Sequence, residues 1–164
     1  MVPYQAPIDY IVSALRTVGL DEVLGTEAFE SLDASAVRDV LDGFGKLASD
    51  VISPTDRVGD LQGARLDVAT GTVTVPDELA AAHRQYVEGG WQGLASPVEH
   101  GGGGFPKAVA TAVHEMYGSA NLALSLNPML TQSAIELLEQ WGSDEQKEAV
   151  LSHLVDGSWS GTMN

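Results

Sequence analysis

The sequence predicts an all-α domain that carries one short β hairpin or extended excursion. Three observations lead there. Apolar residues recur at helical spacing along most of the 164 residues. Residues that start and stop helices punctuate those runs. One stretch, residues 66–75, is instead rich in valine and threonine around a Thr70-Gly71 turn. The expected tally is about six or seven helices.

Residues 1–7 read as an extended arm, with Pro3 and Pro7 blocking helix. Ile8, Ile11, Val12, Leu15 and Val18 give the first helical stripe, and Gly19 is its stop. Residues 25–32 form a connector with room for a helical turn. Asp33 caps the next helix, whose buried stripe is Val37, Val40, Leu41, Phe44, Leu47, Ala48 and Val51. Ser53-Pro54 is expected to end it, because a residue before proline avoids the helical region. After the β excursion, Pro76 suits the first turn of a helix over 79–87, which Gly89-Gly90 closes. Residues 91–106 read as a loop. A helix over 107–117 buries Val109, Ala112, Val113 and Met116, with a break near residues 118–121. Pro128 reads as a new helix start, followed by helix to Trp141. Ser143 and Gln146 form a capping box for a helix that Gly157 closes. Residues 158–164 read as extended. Such a segment needs strand partners for its backbone groups, and none of similar character precedes it. The chain is therefore expected to continue into a β domain that holds the chemistry.

Composition narrows the function. The net charge of -15 comes from 23 acids against 8 bases and argues against a nucleic-acid surface, which needs basic clusters. No apolar run approaches the ~20 residues of a membrane span. There is no cysteine, so no thiolate metal site or disulfide framework exists, which suits the cytoplasm.

Local motifs are weak taken singly. Gly101-Gly102-Gly103-Gly104 lacks the lysine and hydroxyl that follow the glycines of a phosphate loop; Phe105-Pro106 stands there instead. The glycines read as a tight loop feeding a helix. His114-Glu115 resembles the start of a zinc-protease helix, but the second ligand position holds Gly118, so no metal is expected. Asp33, Asp39, Asp42 and Asp50 read as a solvated face. Trp91 and Trp141 read as core anchors at helix ends. Residues 122–133 mix apolar side chains with Ser125, Asn127, Thr131 and Ser133 around Pro128. Small polar groups among apolar ones at a helix break suit either a cavity wall or an ordinary helix junction.

Several segments, in order, resemble the acyl-CoA dehydrogenases. Tyr4-Gln5-Ala6-Pro7-Ile8-Asp9 is similar to the leader of that family's larger bacterial branch. Gly59-Asp60-Leu61-Gln62-Gly63 and Gly71-Thr72-Val73-Thr74-Val75-Pro76 are similar to that branch's insertion between helices. Gly90-Trp91 and Ser96-Pro97-Val98-Glu99-His100-Gly101-Gly102 resemble the family's loop, with His100 where tyrosine is usual. Glu115 matches a helix-end glutamate, and Gly142-Ser143-Asp144-Glu145-Gln146-Lys147 a regular helix start.

The resemblance covers essentially the whole chain. It implies the N-terminal helical domain of an FAD-dependent enzyme that oxidises the Cα–Cβ bond of an acyl-CoA and passes electrons to an electron-transfer flavoprotein. It divides the chain into a leader arm with first helix (1–32), the helical domain (33–157) and the start of a β domain (158–164). It implies that Ser125, Leu126, Met129, Leu130 and Ser133 line the fatty tail, and that Met163 touches the flavin ring. The catalytic base and most of the FAD site would lie in further domains, so the 164 residues alone are expected to be inactive and free of FAD. A likely-sized apolar flank left bare would promote homo-oligomers. Two rival readings are a stand-alone helical module binding lipid or protein, and one half of a split dehydrogenase.

Overall fold

The computed structural model describes residues 4–162. The all-α expectation with one hairpin holds. Helix α1 (Ile8–Thr17) turns Ile11 and Leu15 inward. Val18 leaves the predicted stripe: α1 ends before it, and it is 76% exposed. Gly19, at φ +97°, reverses the chain into α2 (Leu20–Leu24), too short a helix to show a periodicity.

Helix α3 (Ala34–Leu47) starts as the sequence indicates. The Ala36 N–H donates to Asp33 Oδ1 at 2.8 Å. Val37, Leu41, Phe44 and Ala48 are buried. A π turn over Ala48–Ile52 then adds a residue to the helical turn. The added residue moves the buried position on by one, so Ile52 is buried and Val51 only half-buried.

Ser53-Pro54 does not end the helical path. A 3-10 turn (Ser53–Thr55) carries Pro54 in its first positions and leads directly into α4 (Asp56–Gln62). Proline lacks an N–H and crowds the carbonyl four residues back; the wide π turn just before it relieves both. The hairpin is therefore shorter than the region that favours it. Strands β1 (Arg65–Asp67) and β2 (Thr72–Thr74) pair antiparallel, Leu66 opposite Val73. The Asp67 carboxylate accepts the Ala69 N–H at 2.9 Å inside the turn.

Helix α5 (Asp77–Glu88) follows Pro76, and Gly90, at φ +71°, ends that segment. Helix α6 (Lys107–Ala120) buries Val109, Ala112, Val113 and Met116 as expected, and Tyr117 and Ala120 besides. The predicted break narrows to one residue, Asn121, whose φ/ψ of -158°/100° is extended. Pro128 does not start a new helix; it lies inside α7 (Leu122–Trp141). Its carbonyl accepts from the buried Gln92 amide at 3.3 Å. The final helical run is α8 (Asp144–Gln146), a π turn (Lys147–Leu151) and α9 (Ser152–Val155). Both capping-box bonds form: Ser143 N–H to Gln146 Oε1 at 2.9 Å, and Gln146 N–H to Ser143 Oγ at 3.3 Å.

Two cores hold these elements. In the larger, α1, α2, α3, α5 and α6 bury an aromatic cluster. Phe44 meets Trp91 edge-on at 5.1 Å and Tyr117 at 5.8 Å, and Tyr117 meets Tyr86 at 4.9 Å between ring centroids. In the smaller, Ala134 and Ile135 of α7 pack on Leu151, Leu154 and Val155. Trp91 is the core anchor the sequence indicates. Trp141 is not: it is 75% exposed on the open side of α7.

Phe44→Ala is expected to cost about 3–5 kcal/mol in chemical denaturation, by opening a cavity among three rings. Trp141→Ala, which removes an exposed ring, is expected to stay within about 0.5 kcal/mol.

Candidate functional site

Helix α7 presents the most unusual surface of the chain. A soluble helix normally turns polar residues outward. Here Leu122, Leu126, Met129, Leu130, Leu137 and Trp141 are exposed by 66%, 46%, 47%, 42%, 49% and 75%. Their spacing of three and four keeps them on one arc of the helix. Ser133 falls on the same arc and is half-buried. The opposite arc, with Pro128, Thr131, Ala134 and Ile135, is buried.

Asn121 sets the direction of this helix. Its side chain is buried, 2% exposed. The Leu124 N–H donates to its Oδ1 at 2.9 Å, which caps α7. Its Nδ2 donates to Thr55 Oγ1 at 3.0 Å, and Thr55 in turn donates to the Ile52 carbonyl at 2.7 Å. One amide therefore ties the start of α7 to the turn that starts α4.

The five predicted tail-lining residues all sit on α7, but not in one cavity. Ser125 and Met129 line a small crevice of about 40 Å³ together with His114, Tyr117 and Pro128. Leu126 lines a much larger groove of about 770 Å³ on the α4 side. Leu130 and Ser133 continue the open face. Both serines donate back to their own helix, Ser125 to the Leu122 carbonyl at 2.8 Å and Ser133 to the Met129 carbonyl at 3.4 Å. With its proton spent, each hydroxyl presents little more than a small weakly polar bump. Met163 lies outside the described residues.

The segment before it runs along α7. Gly161 N–H donates to Thr131 Oγ1 at 3.2 Å, and Ser160 Oγ to Asn127 Oδ1 at 3.1 Å. Gly161 must be glycine here, since a Cβ would sit 2.9 Å from the Ala134 methyl. Over 158–162 there is no strand; Trp159 instead stacks on His153 at 4.4 Å between ring centroids.

The glycine cluster serves the loop itself. The N–H groups of Gly102, Gly103, Gly104 and Phe105 all donate to carbonyls of residues 93–97, at 2.9–3.0 Å. No amide of that run is free to cradle a phosphate. A Cβ on Gly103 would sit 2.8 Å from the Leu94 carbonyl oxygen. Among the described residues no three histidine or carboxylate side chains converge on a metal position.

Sequence reasoning missed His114 and Tyr117 as crevice walls. The signal was there: both lie on the α7-facing side of α6, three residues apart. Burial pushes the Tyr117 hydroxyl pKa up and the His114 pKa down. Burial also raises Glu139 above the usual carboxylate range, partly offset by Lys107 nearby.

The family model for Acyl-CoA dehydrogenase, N-terminal domain, matches residues 62–158. The chain is 39% identical over 162 residues to the 3-methylmercaptopropionyl-CoA dehydrogenase of Ruegeria pomeroyi, covering 98% of this chain and 27% of that protein. It is 29% identical over 156 residues to a broad-specificity linear acyl-CoA dehydrogenase of Mycobacterium tuberculosis, covering 94% of this chain and 25% of that protein. The chain thus spans about a quarter of the length of the curated relatives it matches.

His83 and His114 are both held below the ordinary histidine value by burial. The unfolded chain therefore takes up protons first as pH falls, so their contribution is present above the ordinary value and lost through the lowered ones. Glu139 acts oppositely, favouring the fold in its protonated form. His114→Gln is expected to flatten the loss of stability on acidification, read as a smaller shift of denaturation midpoint between neutral and mildly acidic buffer. An unchanged shift would show that His114 contributes nothing to it.

Proposed function

This chain belongs to the acyl-CoA dehydrogenase family, and we propose that it forms the helical N-terminal wall of the acyl pocket in an FAD-dependent enzyme that desaturates the Cα–Cβ bond of an acyl-CoA thioester. The observation that carries this reading is the exposed arc of α7. Six large apolar side chains stand in water on one helix, flanked by hydroxyls whose protons are already donated inward. Such a face is built to be covered by something apolar. A fatty tail meets that requirement, and the relatives' names are those of dehydrogenases of acyl-CoA thioesters.

In this reading Leu126, Met129 and Leu130 contact the tail, while Ser125 and Ser133 leave room between them. Met129 suits varied tails because its unbranched side chain adapts to irregular gaps. Covering the face also excludes water from the reacting carbons, which strengthens the electrostatic interactions there. Residues 1–32 would act as leader, 33–157 as helical domain and 158–164 as the lead into a β domain.

The described residues do not by themselves fit a flavin. Ser160 is spent on Asn127, and the Gly161 N–H on Thr131. FAD is proposed for the longer enzyme, where it supplies the acceptor for the β hydride, with Met163 as a contact from this chain. The catalytic base is placed outside the chain as well. An electron-transfer flavoprotein as electron acceptor, homo-oligomeric assembly and a cytoplasmic location belong to the same proposal. Among the described residues no helix is long and apolar enough to cross a membrane.

The full reading frame that holds this chain, once purified, is expected to carry stoichiometric FAD and to convert a saturated acyl-CoA to the enoyl-CoA with an artificial electron acceptor. Colourless protein that makes no enoyl-CoA, even with added FAD, would overturn the reading. In that enzyme Met129→Glu is expected to lower kcat/KM about tenfold or more, because a carboxylate would be desolvated by the tail. Its thermal midpoint should stay near that of the parent, since Met129 is 47% exposed in this domain.

A further inference from the structure

The large groove beside Leu126 has no role in the reading above. It is a cleft of about 770 Å³ between α4, the base of the hairpin, the start of α5 and the first turns of α7. That volume falls within the range of small-molecule pockets. We infer that it receives the distal hydrocarbon of a linear acyl chain, making Val75, Leu79 and Leu122 chain-length determinants of the same site. This rests on the dehydrogenase reading and adds to it which acyl groups the site takes.

Three features point to a hydrocarbon. First, the groove joins the tail-lining face without interruption: Leu126 belongs to both, and Leu122 extends the same arc of α7 into the cleft. From Ser133 to Leu122 the track runs about 16 Å along the helix axis, far longer than a short acyl group. Second, its lining asks for no hydrogen bond. The buried side-chain polar atoms lacking a partner among the described residues belong to Tyr86, Ser96, Tyr117 and Glu139, and none of these lines the groove. Asn121, at its end, has both amide atoms engaged, by Leu124 and Thr55. Arg57 and Asp60 at the rim pair with each other at 3.5 Å. An apolar occupant therefore leaves no buried group unsatisfied.

Third, the groove is constructed by close approach. A Cβ on Gly59 would sit 3.1 Å from Leu79 Cδ2, so α4 lies tight against α5 and shapes the floor. Gly63, at φ +62°, then turns the chain away toward β1 and leaves the cleft open.

The test is binding of butyryl-CoA, octanoyl-CoA and dodecanoyl-CoA, each below its micelle concentration, to the 164-residue chain by calorimetry. Affinity is expected to rise at least about tenfold from the shortest to the longest. Two exposed groove residues supply variants that should fold: Ala64→Trp to fill the cleft and Leu122→Asp to charge it. Each is expected to remove the gain for dodecanoyl-CoA and leave butyryl-CoA unchanged. Affinity that does not rise with chain length, or a rise that both variants keep, would overturn the inference. Failure of the dehydrogenase reading would show separately, in the flavin content and enoyl-CoA formation of the whole enzyme, which neither groove variant is designed to alter.

Discussion

The buried amide of Asn121 is the constraint on which the rest of this domain depends. It stands at the one extended residue between two long helices, α6 and α7. Its oxygen closes the first turn of α7 and its nitrogen reaches across to Thr55. A buried polar side chain with both ends satisfied fixes geometry, because any other arrangement leaves a desolvated group unpaired. The consequence is rotational. With the start of α7 locked, Ile135 and Ala134 must face the small core, and Leu126, Met129 and Leu130 must face out.

Two prolines show how the structure keeps helices running where local rules stop them. Pro54 is preceded by a π turn, and Pro128 is followed by Thr131, which donates to the Asn127 carbonyl at 3.0 Å. The residue-before-proline rule is a local preference, and packing on both sides overrides it here. The same π turn explains why Ile52, and not Val51, enters the core. Wide turns leave no mark in a pattern of apolar residues, so these elements were unreadable in advance. Caps and glycine stops were readable. Asp33, the Ser143 box, Gly19 and Gly157 act through their own side chain or backbone and need no distant partner.

The candidate site divides the same way. That residues 122–133 mix apolar and small polar groups was visible in the chain, and the resemblance assigned five of them to a tail. Their arrangement was not visible. Whether an apolar stripe is core or open surface depends on what packs against it, and sequence spacing is identical in the two cases. Trp141 is the clearest instance: the spacing made it an anchor, and the fold leaves it in solvent. The groove beside Leu126 depends on Gly59, Leu79 and Asn121, residues 42 positions apart at their closest across α5 and α7, so no local motif announces it.

The central claim is that the open arc of α7 is a wall for an acyl tail. A crystal structure of the whole enzyme with a long-chain enoyl-CoA bound tests it most directly. The account predicts tail carbons in van der Waals contact with Leu126, Met129 and Leu130. A tail bound elsewhere, with that arc of α7 covered entirely by protein, would contradict it.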